Sequence, residues 1–195
     1  MFKFVRQKFV PLARLSSSTG AKTNPPASLL ELRVGRIIDV QKHESADKLY
    51  VSKIQLNEEQ SPKIVQVCSG LVDYMSMNSL LDSRVCVAAN LKKAKLRGAV
   101  SEAMVLAASD ANDTKVELVV PPNSVPLGTL LYFKNHKPTD PFKTLNTKQR
   151  DRILDNLYTN SNREVFYGDD TSSILINEHN EDPCTVETLA SSKVR

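Results

Sequence analysis

The sequence has no tryptophan and little cysteine, and both shortages narrow the class of protein. Its 195 residues include three cysteines, five tyrosines and six phenylalanines. The cysteines (Cys68, Cys86 and Cys184) are odd in number and form no Cys-x-x-Cys motif. A disulfide framework is therefore disfavoured, and a reducing compartment is favoured. The few aromatic side chains leave little material for stacking platforms, so any recognition of nucleic acid should depend on shape and backbone.

Long apolar runs and catalytic motifs are missing as well. No apolar run approaches the roughly 18 residues that cross a bilayer, so the sequence predicts neither a transmembrane helix nor stable membrane association. It contains no paired-carboxylate motif, nucleophile elbow or glycine-rich phosphate loop. The three histidines are scattered, and His43 has no second His or Cys at ligand spacing, which argues against a metal site. The sequence predicts binding without catalysis, cofactor or metal.

Charge is unevenly distributed along the chain. The composition, 41% hydrophobic and 25% charged, supports one domain, or one domain with an appendage. The formal net charge of +4 hints at a polyanionic partner. Residues 1–30, however, hold five basic residues and no acidic ones, so their +5 exceeds the total and leaves −1 for the remainder. Any affinity of the body for a polyanion must then come from how charge is placed along it.

The first 16 residues have the pattern of a mitochondrial transit peptide. They are basic, acid-free and followed by serines. On a helix, an arc of about 100° holds the apolar residues Met1, Phe2, Val5, Phe9 and Leu12. We expect cleavage near residues 15–17 and a matrix location. The alternative is a disordered basic tail, which Pro11 favours because it limits the helix to about ten residues.

The body reads as a small β-barrel with an appendage. Short strands separated by turns are predicted at 32–43, 49–57, 63–70, 85–90, 98–109, 115–121 and 128–133. A short helix is expected within 72–83. A second helix begins after Asn146, whose partner Gln149 completes a capping-box pattern. We divide the chain into a linker at 17–28, a barrel at 29–133, an extension at 134–176 and a polar, loosely ordered tail at 177–195.

The run from Arg84 to Met104 carries the chemistry. Four cations, Lys92, Lys93, Lys95 and Arg97, lie within six positions, between an apolar strand and Gly98. Such a loop beside a barrel is suited to contacts with a phosphate backbone. The alternative is an ordinary solvated surface loop.

Three strings resemble the tRNA-binding domain family. NLKKAKLRGAVSEAM is similar to the family's NLKPAKxRGxxSxGM, and LELRVGRIIDVQKHESADKLYVSKI to LDxRVGxIxxVxxHPxADxLYVxxI; SGLV at 69–72 is a further family string. The resemblance runs from about Leu29 to Tyr167. It departs from the family at Lys93, Glu44 and Ser45, where the family has Pro, Pro and Asp. Lysine at 93 loosens the loop and adds a charge.

The resemblance implies a mainly β OB-fold, a five-stranded and partly open barrel that holds nucleic acid on one face and its loops. The implied tRNA-binding residues are Asn90, Lys92, Lys93, Lys95, Arg97, Ser101 and Glu102. The implied supporting residues are Arg33, His43, Asp47, Arg84, Gly98 and Met104.

Individual roles follow from residue chemistry. The cations would contact phosphate, and Ser101 could donate to phosphate or ribose. Gly98 would allow a turn or a close approach to RNA. Asn90 could instead organise the loop through hydrogen bonds from its side chain to the backbone. Met104 could instead be a core residue. His43 and Asp47 could instead form a local turn.

The C-terminal part resembles the extension of the endothelial monocyte-activating polypeptide group. That extension packs on the barrel and mimics a dimer interface, so the resemblance implies a monomeric pseudo-dimer. Its helix would pack through Ile153, Leu154 and Leu157, and could extend the RNA-facing surface through Lys148, Arg150 and Arg152.

The expected function is that of a mitochondrial tRNA-binding auxiliary factor, which delivers or retains tRNA for an aminoacyl-tRNA synthetase. Two alternatives stay open. One is a protein-interaction or chaperone-like module of the same fold. The other is a general single-stranded nucleic-acid-binding OB protein.

Overall fold

The computed structural model describes residues 26–138 and 141–195. The predicted transit peptide and most of the linker lie outside the described residues. Within those ranges, no helix has the length and apolar character that a membrane span requires.

The described chain is built mainly from short strands. The strands are β1 Leu32–His43, β2 Ala46–Gln55, β3 Ile64–Ser69, β4 Arg84–Ala88, β5 Ala94–Leu96, β6 Ala99–Ser101, β7 Met104–Val105, β8 Ala107–Ser109, β9 Val116–Leu118, β10 Leu130–Phe133, β11 Leu157–Thr159, β12 Val165–Tyr167, β13 Leu175–Asn177 and β14 Lys193–Val194. The helices are a 3₁₀ turn Ala27–Leu29, α1 Met77–Leu80 and α2 Thr147–Leu154.

β1 is the central strand of the barrel. Its first half pairs with β4, and its second half pairs with β2, which pairs in turn with β3. β7 pairs with the other edge of β4. All these pairs are antiparallel, and no ladder joins β3 to β7, so the barrel is partly open. The prediction of a mainly β OB-fold is confirmed.

Gly35 lies buried where β1 passes from β4 to β2. A Cβ atom there would come within 2.7 Å of Ile54 Cγ2 and 2.9 Å of Val87 Cγ2, so close packing of the two sheet faces requires glycine. A glycine inside a strand often marks a bulge or bend. The bulge lies further on, because the β1–β2 register passes from Ile37 to Asp39 and leaves Ile38 as the extra residue.

The extension shares its sheets and core with the barrel segment. β13 pairs with β10, and a second sheet runs in the order β12-β11-β14-β8-β9. One buried cluster joins Leu32 and Val34 of β1 to Ile153 and Leu157 of the extension. Burial of this shared apolar surface is the force that holds the extension on the barrel.

The expectation of a loosely ordered tail after residue 177 is wrong. Cys184, Val186 and Val194 are all buried in the shared core. Backbone bonds hold the segment at several points, including Cys184 N–H to Leu175 O at 2.8 Å and Thr185 to Val120 in both directions. Its polar composition hides the few apolar residues that anchor it.

The two predicted helices fare differently. α2 is confirmed with its capping box: Asn146 accepts from Gln149 N–H, and the Gln149 side chain accepts from Asn146 N–H. The stretch 72–83 yields only the four residues of α1, which ends because Leu81 is extended, with φ −60° and ψ 137°. The long strand expected at 98–109 is divided into β6, β7 and β8.

Candidate nucleic-acid interface

The cationic run forms a hairpin, where the sequence had suggested a loop. β5 and β6 pair from Ala94↔Ser101 to Leu96↔Ala99, which leaves Arg97 and Gly98 as a two-residue turn. Their φ angles are 50° and 107°, as a type I′ hairpin turn requires. Glycine in the second turn position was the available signal in the sequence. Gly98 therefore serves the turn, and the tip of the hairpin projects one cation, Arg97.

Three of the four cations in this hairpin are exposed and unpaired. Among the described residues, Lys92, Lys95 and Arg97 enter no ion pair. Lys93 differs, because its Nζ lies 2.6 Å from Glu102 Oε1. The hydrogen bond from Lys93 is the largest of the causes that lower the pKa of the Glu102 carboxyl, followed by the backbone bond from Gln66. Glu102 is thus ionised at neutral pH and compensates one of the four charges.

Ser101 and Glu102 have framework roles in the barrel. The buried Ser101 Oγ accepts from Cys68 N–H at 3.0 Å and donates to Ala103 O at 3.0 Å. Glu102 Oε2 accepts from Gln66 N–H at 3.1 Å, while Glu102 N–H donates to Gln66 O at 2.8 Å. These bonds cross the gap between β3 and the segment before β7. They correct the expectation that Ser101 donates to RNA, because its only proton is used inside the fold.

Asn90 organises the base of the hairpin. Its side-chain amide donates to Leu29 O and Lys143 O, both at 2.8 Å, and its Oδ1 accepts from Glu31 N–H at 2.9 Å. The residue is buried. It therefore connects the start of the domain, the base of the hairpin and the entry of the extension. Of its two predicted roles, the geometry matches the organising one.

A polar cleft joins the hairpin to the β1–β2 turn. Arg97 and Gly98 line one side of it, and Lys42 and His43 line the other, around a volume of about 460 Å³. Gln66 of β3 lines it as well. The structure thus places His43 and Arg97, 54 positions apart in sequence, on one surface. Lys42 was not singled out from the sequence, although it immediately precedes His43 in the same motif.

His43 also shapes the turn beside the cleft. Its Nδ1 accepts a hydrogen bond from Ser45 N–H at 3.1 Å. Asp47 lies exposed on β2. His43 therefore stabilises the local turn that the sequence allowed, and Asp47 lies on the strand that follows this turn.

The remaining supporting candidates belong to the framework. Arg33 Nε lies 2.9 Å from Glu31 Oε1, and its Nη1 donates to Gly128 O at 3.1 Å. The guanidinium of Arg84 donates to Val125 O, and burial is the main cause that lowers its pKa. Met104 packs against the larger core cluster. The structure does not bring Arg84 to the cleft, since its guanidinium is held by a carbonyl group on another part of the barrel.

No group of three or more His, Cys, Asp or Glu side chains that could hold a metal ion occurs within residues 26–138 and 141–195. The described polar cleft is lined by two cations, two side-chain amides, an imidazole and one carboxylate, that of Glu44, so donors to anions predominate. A β-barrel with a cationic hairpin beside such a cleft has the architecture of a nucleic-acid-binding module.

Comparisons with known proteins define the family. Residues 32–130 match the model described as "Putative tRNA binding domain". The chain therefore belongs to the tRNA-binding domain family, as its sequence motifs predicted.

Curated relatives contain a segment that is similar to this chain. It is 39% identical over 166 residues to the cytoplasmic methionine–tRNA ligase of Arabidopsis thaliana, covering 80% of this chain and 20% of the ligase. It is 34% identical over 183 residues to the aminoacyl tRNA synthase complex-interacting multifunctional protein 1 of Cricetulus griseus, covering 92% of this chain and 48% of that protein. The chain thus spans between a fifth and about half of these relatives.

A solved structure extends the likeness beyond the barrel. The C-terminal domain of Plasmodium vivax p43 superposes with a TM-score of 0.71 at 27% identity, covering 86% of this chain and 98% of that domain. This share is larger than the segment that matches the family model, so the likeness includes part of the extension.

Proposed function

We propose that this chain binds tRNA through the β5–β6 hairpin and the adjoining cleft, and serves as an auxiliary factor for an aminoacyl-tRNA synthetase. One observation carries the proposal: Arg97 and Lys42, from separate parts of the sequence, line the same cleft. With Lys92 and Lys95 they form a surface to which a phosphodiester backbone can bind.

The arrangement favours shape over sequence in the recognition of RNA. Cations on a hairpin contact phosphates, which are alike in every tRNA. Among the described aromatic side chains, Tyr50 is buried with its hydroxyl bonded to Met75 O at 2.9 Å, and the Tyr74 hydroxyl bonds to Asp113 O at 3.0 Å. We therefore expect similar affinities for different tRNAs. The protein acts as a binding factor without catalysis of its own.

The link to a synthetase is supported by the relatives. One is a methionine–tRNA ligase that contains a similar segment, and another is named for its interaction with a synthase complex. In our proposal this chain raises the local concentration of tRNA at its partner enzyme, an effect that comes from tethering and needs no additional contact with the reacting groups.

We further propose that the protein acts in the mitochondrial matrix as a monomer. The compartment is inferred from the basic, acid-free leader at residues 1–16. The monomeric state is inferred from the extension, which buries Ile153 and Leu157 against the barrel and so occupies a surface that a second chain could otherwise cover.

The test is crosslinking and sequencing of RNA bound to the tagged protein in purified mitochondria. Recovery of many different tRNAs is the expected result. Competition by oligo-dT equal to that by tRNA would indicate a general single-strand binder. A synthetase complex that survives nuclease treatment, with no tRNA retained, would indicate a protein-interaction module.

A further inference from the structure

The Lys93–Glu102 pair lies across the open end of the β5–β6 hairpin. The two residues are nine positions apart, one just before β5 and the other just after β6, and their side chains meet at 2.6 Å. Glu102 is itself fixed to β3, because its N–H donates to Gln66 O at 2.8 Å and its Oε2 accepts from Gln66 N–H at 3.1 Å. A continuous connection therefore runs from the entry of the hairpin to the barrel wall. Gln66 Nε2 also donates to Val100 O of β6 at 2.8 Å, so the ion pair adds a hold on the β5 side to the one that β6 already has.

Lysine at this position replaces the proline of the family motif. Proline fixes φ near −65° and stiffens the chain, whereas lysine leaves the backbone free to rotate. An exposed ion pair adds little to global stability. The Lys93–Glu102 pair can still fix the angle between the hairpin and the barrel, because Glu102 is anchored to β3 by hydrogen bonds with the backbone of Gln66.

The angle of the hairpin matters because a small rotation at its base displaces the distant tip. Arg97 lies four residues beyond Lys93, about 13 Å at the rise of a strand. A swing of roughly 15° about the base would move the tip by about 3 Å, which exceeds the tolerance of a hydrogen bond. Arg97 would then no longer lie opposite Lys42 across the cleft.

We infer that the Lys93–Glu102 pair is a strut that fixes the hairpin against the cleft, and that Lys93 is a positioning residue for RNA binding and makes no phosphate contact. The inference rests on the proposed function. It separates Lys93 from its neighbours Lys92 and Lys95, which carry unpaired charge in the described part of the chain.

The experiment compares four variants of the full chain in titrations with tRNA over a range of salt concentrations. Lys93→Ala and Lys93→Pro remove the same charge, and only the second restores a stiff backbone. Lys93→Arg keeps the ion pair, and Lys92→Ala is the matched control for a phosphate contact. Proline at 93 is compatible with the fold, because no hydrogen bond from the Lys93 N–H occurs in the described residues.

We expect Lys93→Ala to weaken binding about five-fold with an unchanged salt slope, because pre-organisation is lost and no ion is released. Lys93→Pro and Lys93→Arg should bind within about two-fold of the parent protein. Lys92→Ala should lower the slope by about 0.7 to 0.9. Equal weakening by alanine and proline with a lower slope would overturn the inference, as would parental affinity for Lys93→Ala.

A second measurement is independent of RNA. Backbone order parameters of the Arg97 and Gly98 amides, from NMR relaxation, should fall in Lys93→Ala and stay at the parental value in Lys93→Pro. Unchanged order in Lys93→Ala would overturn the strut. If the parent chain binds no tRNA, the proposed function fails, and the order parameters still decide the strut by themselves.

Discussion

The β5–β6 hairpin and the C-terminal segment 177–195 both carry apolar side chains, yet the first exposes them and the second buries them. In the hairpin, the apolar side chains of Leu96 and Val100 are 39% and 41% exposed. In the C-terminal segment, Cys184 and Val194 are fully buried and Val186 is 4% exposed. The hairpin has the larger share of apolar residues, but only the C-terminal segment packs its apolar side chains into the shared core.

The difference shows where binding capacity and stability reside. The hairpin leaves its cations in solvent, where they are available to an anionic ligand. The C-terminal segment completes the core and the second sheet through β14. Substitutions in the hairpin should therefore change affinity with little effect on stability, and substitutions in the C-terminal segment should do the reverse.

The largest expected effect is on Val194. Val194→Asp places a carboxylate in the core beside β8, and should lower the free energy of unfolding by about 4 kcal/mol. The matched change in the hairpin, Lys95→Asp, should alter it by less than about 0.5 kcal/mol. Urea denaturation followed by circular dichroism measures both. Similar losses in the two variants would contradict the comparison.

Next in size is the carboxylate that holds the C-terminal turn. Glu117 accepts from Thr188 N–H at 2.8 Å and Leu189 N–H at 3.0 Å, and pairs with Lys115 at 2.9 Å. Burial raises its pKa, but these bonds outweigh burial and bring the pKa to about 2 from an ordinary 4.5. A carboxyl group whose pKa is lowered on folding stabilises the fold at pH values above its ordinary pKa. That stabilisation is lost as the pH falls from 4.5 towards 2.

Glu117→Gln should therefore lower the free energy of unfolding by about 2 kcal/mol at pH 7. The difference from the parent should shrink as the pH is lowered through this window. Glu187→Gln, at an exposed carboxylate of the same segment, is the control and should change stability by less than about 0.5 kcal/mol. If the difference in free energy of unfolding between Glu117→Gln and the parent did not change with pH, the charge of Glu117 would not contribute to stability.

A smaller effect is expected at Ser101, which lies in the hairpin strand but belongs to the framework. Ser101→Ala leaves Cys68 N–H and Ala103 O without their shared partner, and should cost about 1 to 2 kcal/mol of stability. At a temperature where the variant is folded, its tRNA affinity and salt slope should match the parent. A lower slope would restore Ser101 as an RNA contact.

The sequence predicted the barrel well because its information is local. The strands of the barrel and the capping box of α2 follow from periodicity and from Asn146 and Gln149, each of which acts within a few residues. The hairpin was missed because the alternating stretch from Lys93 to Arg97 is short and highly charged, while the turn signal is the single Gly98.

What could not be predicted was set by distant contacts. Ser101 and Glu102 look like polar contact residues in a motif, and only their partners on β3 show that they link β3 to the segment before β7. Lys42 could not be predicted as a site residue, because its role depends on Arg97 across the cleft. The order of the C-terminal segment depends on pairing with β8 and on packing in the shared core, which no local pattern in 177–195 reveals.

In the proposed function, RNA affinity comes from the placement of charge in the hairpin and depends little on the total charge of the chain. Two triple variants of the full chain, each with three charges fewer, test it most directly in tRNA titrations against salt. Lys92→Ala, Lys95→Ala and Arg97→Ala together should weaken binding at least about ten-fold and lower the salt slope by about 2 to 2.7. The control, Lys134→Ala, Lys137→Ala and Arg163→Ala together, should stay within about three-fold with nearly the parental slope. Equal losses in the two triples would contradict the account.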